Sequence, residues 1–105
     1  MKQRRSKYGN TVTHINGFRF DSKKESLRYL VLADMARHGE ITKLALQPRF
    51  PVEIEGKKIC TYVADFQYLR DGELIVEDVK GMRTQVYKLK KKLVEALYDF
   101  QITEI

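Results

Sequence analysis

Residues 62–80 read YVADFQYLRDGELIVEDVK, and their reading decides the fold. Two runs of apolar and aromatic residues flank Asp71-Gly72, a pair that between such runs signals a two-residue hairpin turn. The turn fixes the register. With Arg70 opposite Glu73, counting back in equal steps places Asp65 directly opposite Asp78 on one face, their Cβ atoms roughly 4.5 to 5.5 Å apart. Like charges so placed repel; a raised pKa, a cationic side chain or a divalent cation between the carboxylates would relieve them. Lys80, two residues beyond Asp78, falls on the same face. A slip of one residue would bring Glu77 opposite Asp65 instead, and Asp78 is preferred because it shares a face with Lys80.

Val76 is expected opposite Gln67 and Val63 opposite Lys80, while Tyr62, Ala64, Phe66, Ile75 and Val79 should share the other face. An ordinary surface ion cluster is the competing reading of the three charges. Against it, the acids interrupt strands otherwise built from apolar and aromatic residues, where charge is costly without a purpose.

Upstream, Pro48 and Pro51 limit the segment after an ambiguous stretch from Ile41 to Gln47 to an edge or irregular strand, in which Phe50, Val52 and Ile54 alternate. Glu55-Gly56 turns that strand into a long one, Lys57 to Tyr68, with Val52 against Ile59. With Glu73 to Lys80 this makes a three-stranded meander. Before it, Asp21 and Ser22 open a helix that runs through Leu27, Leu30, Val31 and Met35 and ends at Gly39. Asn16-Gly17 marks a small leading hairpin between Val12 and Phe20. After Gly81, Val86, Leu89, Leu93, Ala96 and Leu97 recur at helical spacing, with Lys88, Lys91, Lys92 and Glu95 roughly opposite, and Ile102 to Ile105 is a final strand. The expected fold class is α/β (α+β): a mixed β-sheet flanked by two helices, in the order α-β-β-β-α-β, with an N-terminal β-hairpin.

The 105 residues, 43% of them hydrophobic, suit one core. We expect a flexible basic arm over 1–10 and a single domain over 11–105. No stretch approaches the roughly 18 consecutive apolar residues of a membrane helix, so a soluble, cytoplasmic protein is expected. A lone cysteine, Cys60, and two isolated histidines exclude a disulfide framework and the usual zinc motifs. Any catalysis must use carboxylates and lysines. The net charge is +6, concentrated in Lys2, Arg4, Arg5 and Lys7 and again from Lys80 to Lys92. Such blocks suit a polyanion, because each neutralised phosphate releases counterions.

An acid on one strand and an acid-x-lysine triplet on the next, here Asp65 and Asp78-Val79-Lys80, resemble the motif of the PD-(D/E)xK nuclease superfamily. The element order is similar to that superfamily's restriction-endonuclease-like core. Ala64 stands where its pattern has proline. Gly17-Phe18-Arg19-Phe20-Asp21-Ser22-Lys23-Lys24-Glu25, Gln47-Pro48, Ala64-Asp65-Phe66 and Glu77-Asp78-Val79-Lys80-Gly81 further resemble small phage and prophage endonucleases. The resemblance implies Mg²⁺ or Mn²⁺ held by Asp65, Asp78, the Val79 carbonyl and Glu25, with Glu25, Asp65, Asp78 and Lys80 as catalytic residues. It also implies cleavage to 5′-phosphate and 3′-hydroxyl ends, in a bacterial host cell. Glu25 has a second reading, since Ser22-x-x-Glu25 is a capping box. Lys80 would orient and help deprotonate water or neutralise transition-state charge.

Arg83, Thr84, Lys88, Lys91 and Lys92, with Arg4 and Arg5 of the arm, are the expected DNA contacts. A domain this small has little surface for a long sequence, so shape or junction recognition fits better and a two-fold dimer would present paired sites; branched DNA is preferred, with nicked or linear duplex, single strands and RNA left open. The main rival in another class is a non-catalytic nucleic-acid-binding module of the same fold; a protein-binding phage component ranks last.

Overall fold

The computed structural model describes residues 12–80 and 82–105. The arm over 1–10, with Arg4 and Arg5, lies outside the described residues, as does Gly81. Ten elements follow in order: β1 (Thr13–Ile15), β2 (Phe18–Phe20), α1 (Lys23–Arg37), β3 (Thr42–Leu46), β4 (Arg49–Ile54), β5 (Lys57–Val63), β6 (Phe66–Arg70), β7 (Glu73–Asp78), α2 (Gln85–Leu97) and β8 (Ile102–Glu104). The class is α+β with a mixed sheet and two helices, as expected. Five strands rather than three separate the helices.

The turn between β6 and β7 needs left-handed backbone at both central residues, and Asp71 (φ 51°) and Gly72 (φ 78°) supply it. The same geometry recurs at Asn16-Gly17 and Glu55-Gly56. β6 and β7 pair antiparallel in the expected register, from Arg70↔Glu73 through Gln67↔Val76 to Phe66↔Glu77. β3 lies against the other edge of β6, and β8 runs parallel to β7, which gives the four-stranded order β3-β6-β7-β8.

The long strand from Lys57 to Tyr68 is broken. Its first half pairs with β4 as a separate hairpin, and its second half enters the main sheet. The break falls at Ala64-Asp65, across from Gln47-Pro48. Proline has no N–H to give a ladder, and Gln47 takes a left-handed φ of 52°. Gln47 N donates to the Asp65 carbonyl (2.9 Å) and Ala64 N to the Pro48 carbonyl (3.1 Å), so both strands bend together. Three expectations fail as a result. Val63 pairs with Arg49, not with Lys80. Tyr62 and Ala64 pack in the cluster under α2, whereas Phe66, Ile75 and Val79 pack in the cluster under α1. Asp65 sits at the corner instead of inside a strand. In the β4–β5 hairpin a bulge pairs Val52 with Cys60 and expels Ile59, which is 54% exposed, where Val52 against Ile59 was expected.

Each helix covers one cluster. α1 packs Tyr29 and Leu32 on Phe20, Ile41, Phe66 and Tyr68. α2 packs Tyr87 and Val94 on Phe50, Val52, Tyr62, Val76 and Ile102. The apolar spacing of α2 points elsewhere: Val86, Leu89 and Leu97 are 63%, 59% and 49% exposed. Polar anchors set its roll. Tyr87 Oη donates to Glu104 (2.8 Å), Lys90 Nζ reaches the Thr61 carbonyl (3.5 Å), and Glu95 accepts from Ile102 N (2.8 Å). Leu27, Leu30 and Val31 of α1 are exposed in the same way, because Glu25 and Ser26 turn inward instead. Among the described residues no helix is long and apolar enough to cross a membrane.

Candidate active site

The site forms where β7 ends beside the bend. Asp65 N donates to the Glu77 carbonyl (3.1 Å), which extends the β6–β7 register by one step and leaves Asp65 beside Asp78. On the other edge Ile105 N donates to the Asp78 carbonyl (3.0 Å). The backbone at Glu77-Asp78 is therefore held from both sides. The register does not slip to Glu77, whose side chain points to the opposite face.

Each carboxylate has one oxygen taken by a donor. Asp65 Oδ2 accepts from Val79 N at 2.7 Å, and Asp78 Oδ2 accepts from the Tyr62 hydroxyl. Asp78 Oδ1 is buried and accepts no hydrogen bond. It forms an ion pair with the Lys80 ammonium, 3.2 Å away, without the alignment of a hydrogen bond. That ammonium rides over the ring of Tyr87, 4.6 Å from its centroid, a cation–π contact that fixes the lysine without neutralising it.

The electrostatics follow from this crowding. Burial, then a hydrogen bond with Asp78, pushes Asp65 up to about 8; the charges of Glu25 and Asp78 add to the rise, and the Val79 amide opposes it. Without another cation the pair tends to hold a proton. Glu25 is also raised, first by burial and then by the charges of Asp21 and Asp78, while a backbone hydrogen bond at Asp21 and the charge of Lys80 pull it down. Glu25 thus feels both Asp78 and Lys80. Its backbone N donates to Ser22 Oγ (3.1 Å), so the serine half of the capping box is made. Burial and the bond to Asp78 raise Tyr62 strongly, which keeps its hydroxyl protonated as a donor.

A hard divalent cation fits this donor set. Oxygen ligands suit Mg²⁺ or Mn²⁺, and Mg²⁺ commonly takes only one or two carboxylates, the rest of its shell being water or phosphate. The buried oxygen of Asp78 lacks any other hydrogen-bonding role. Among the described residues no group of three or more His, Cys, Asp or Glu side chains closes round one point. The carboxylates that could hold such an ion are Asp65 and Asp78, with Glu25 within electrostatic reach of Asp65 and Asp78.

The other expected site residues are spread out. Thr84 caps α2, its hydroxyl accepting from Tyr87 N (3.1 Å). Arg83 pairs with Glu104 (3.1 Å) and Lys91 with Glu95 (3.7 Å). Lys88 and Lys92 have no ion pair among the described residues. Together with Arg83, Tyr87 and Lys91 they line an open depression of about 580 Å³. Tyr87 is shared with the site, since it lines the depression and carries the Lys80 ammonium on its ring.

Sequence reasoning missed four residues. Tyr62 and Tyr87 read as core aromatics, and only their hydroxyls hint at more. Arg28 lies one turn after Glu25 on the same helix and forks onto Glu77 at 2.7 and 2.6 Å, with Tyr68 donating to the same carboxylate. Glu104 could have been suspected from its place on the strand beside Asp78.

No curated protein matches the chain. A family described as "Protein of unknown function (DUF1064)" matches residues 5–104. The match runs from the basic arm through both carboxylates to the last strand, and the chain belongs to that family.

Proposed function

We propose that this chain is a Mg²⁺- or Mn²⁺-dependent endonuclease that hydrolyses DNA phosphodiester bonds. The observation that carries the reading is the buried, unbonded Oδ1 of Asp78, beside Asp65 and 3.2 Å from the Lys80 ammonium. Phosphodiesters resist hydrolysis because their anionic oxygens repel nucleophiles and the departing alkoxide is a poor leaving group. A catalyst must therefore concentrate positive charge where negative charge develops. Asp65 and Asp78 would hold the ion, with Glu25 as a further carboxylate. Once bound, it would supply Lewis acidity to a phosphate oxygen and lower the pKa of a water.

The protein's own groups do the rest. Lys80, steadied on the Tyr87 ring, holds a positive charge beside the reacting phosphate, where it orients the attacking water or neutralises charge in the transition state. Lys88 and Lys92 offer unpaired charge for the phosphates on either side of the scissile bond. Arg83 and Lys91 would join them by leaving Glu104 and Glu95. Among the described residues no element supplies a base-reading module, which supports recognition of shape. Branched DNA is accordingly the proposed substrate, in phage recombination or replication within a bacterial cytoplasm, with a two-fold dimer presenting paired sites. A monomeric mass by light scattering at working concentration would overturn the dimer.

The second reading is a non-catalytic nucleic-acid-binding module of the same fold, which the lysines lining the α2 depression would equally serve. A single gel separates the two. Wild type and Asp78→Ala are incubated with labelled four-way junction, linear duplex and single strands, in Mg²⁺, Mn²⁺ or EDTA. Cleavage that needs the cation and is lost in the variant supports the nuclease. DNA that is shifted but uncut in every lane supports the binding module.

A further inference from the structure

We infer that Tyr62 sets which divalent cation the carboxylate pair prefers, by limiting Asp78 to a single ligand oxygen. This rests on the metal-dependent reading above. Tyr62 stands in β5, outside the main sheet, and its ring is held between Phe50 (centroids 6.3 Å apart) and Tyr87 (6.4 Å). Packing thus aims the hydroxyl at Asp78 Oδ2 from a fixed direction. The other oxygen, Oδ1, is the one left buried and unbonded. The Val79 amide does the same for Asp65, engaging Oδ2 at 2.7 Å. Two carboxylates are therefore present, and each offers one oxygen.

That count discriminates between cations. Mg²⁺ demands a compact octahedron and accepts single-oxygen carboxylates together with waters, whereas Ca²⁺ takes six to eight oxygens and gains from carboxylates that chelate with both. A donor on Oδ2 denies Ca²⁺ the chelating mode at no cost to Mg²⁺. It also fixes the rotation of the Asp78 carboxylate, as partners behind a metal ligand commonly do. The Val79 N–H cannot be removed without altering the backbone; the Tyr62 hydroxyl can.

The test uses the full chain without DNA. Mn²⁺ is bound first, its free EPR signal is followed, and Mg²⁺ or Ca²⁺ is titrated in as competitor, for wild type and for Tyr62→Phe. Phenylalanine keeps the ring contacts, and near-UV circular dichroism checks the fold. The expected result is a fall in Mg²⁺ affinity of roughly tenfold or more, with a smaller fall or a gain for Ca²⁺, so that the Ca²⁺-to-Mg²⁺ preference shifts by about tenfold. Tyr62→Met, a second side chain without the hydroxyl, should shift it the same way. An unchanged preference in both variants overturns the role of Tyr62 and leaves the metal site standing. Failure of wild type to bind Mn²⁺ at all overturns the metal-dependent reading and this inference with it.

Discussion

Glu77 and Asp78 are neighbours on one strand, and each is 1% exposed, yet the fold treats them in opposite ways. On the α1 face Glu77 receives a two-pronged guanidinium from Arg28 and a hydroxyl from Tyr68, so its charge is matched and its oxygens are bonded. On the α2 face Asp78 meets a second carboxylate, and its Oδ1 has no hydrogen bond and only the Lys80 ammonium, 3.2 Å away, to set against its charge. Strand alternation alone separates the two environments. The comparison teaches that burial of an acid is not the signal of chemistry. An acid buried without full compensation is.

The largest expected effect breaks the comparison on the Asp78 side. Asp78→Asn should lower Mg²⁺-dependent cleavage by at least about a thousandfold while the thermal midpoint holds or rises, because the variant removes repulsion rather than support. Glu77→Gln should do the reverse, lowering stability by about 3 kcal/mol in urea unfolding because Arg28 loses its counter-charge. Replacing both partners, Arg28→Met with Glu77→Leu, should recover most of that loss.

Lys80→Met sharpens the distinction between holding the ion and using it. Turnover should fall by roughly 10² to 10⁴, with Mn²⁺ still bound in the EPR assay.

The pH dependence carries a definite sign. Asp65 has its folded pKa raised to about 8, so between its ordinary value and that one the folded state binds more protons than the unfolded state. Cation-free stability should therefore fall as pH rises from about 5 to about 8, with a slope of at most about 1.4 kcal/mol per pH unit for one proton. Asp65→Asn should flatten the slope in urea titrations, as should saturating Mg²⁺. The smallest effect is at the depression: Lys88→Gln or Lys92→Gln should weaken DNA binding modestly and reduce the salt slope by roughly 0.9 per lysine.

The part of the site on one hairpin was legible because a two-residue turn fixes every pair behind it. Asp65, Asp78 and Lys80 follow from Asp71-Gly72 by counting. The bend at Asp65 was not legible, since its cause, Pro48, lies in the link between β3 and β4 and acts only once that link is paired with Ala64-Asp65. The roll of α2 was misread for a related reason. Val86, Leu89 and Leu97 state the helix's apolar period, but the partners of Tyr87 and Glu95 on β8 decide which side faces inward. Arg28 and Glu77 stand 49 residues apart, and no local pattern links them.

The turn at Asp71-Gly72 also has a kinetic consequence. Asp65 and Val79 are only 14 residues apart in the chain, and a hairpin of this kind closes in about 1 to 10 μs. The helices and β8 must be recruited over longer loops. The two carboxylates are thus driven together early, before α2 brings the Tyr87 ring under the Lys80 ammonium. Divalent cations and mild acid should therefore speed the folding of this protein, as well as stabilise its product.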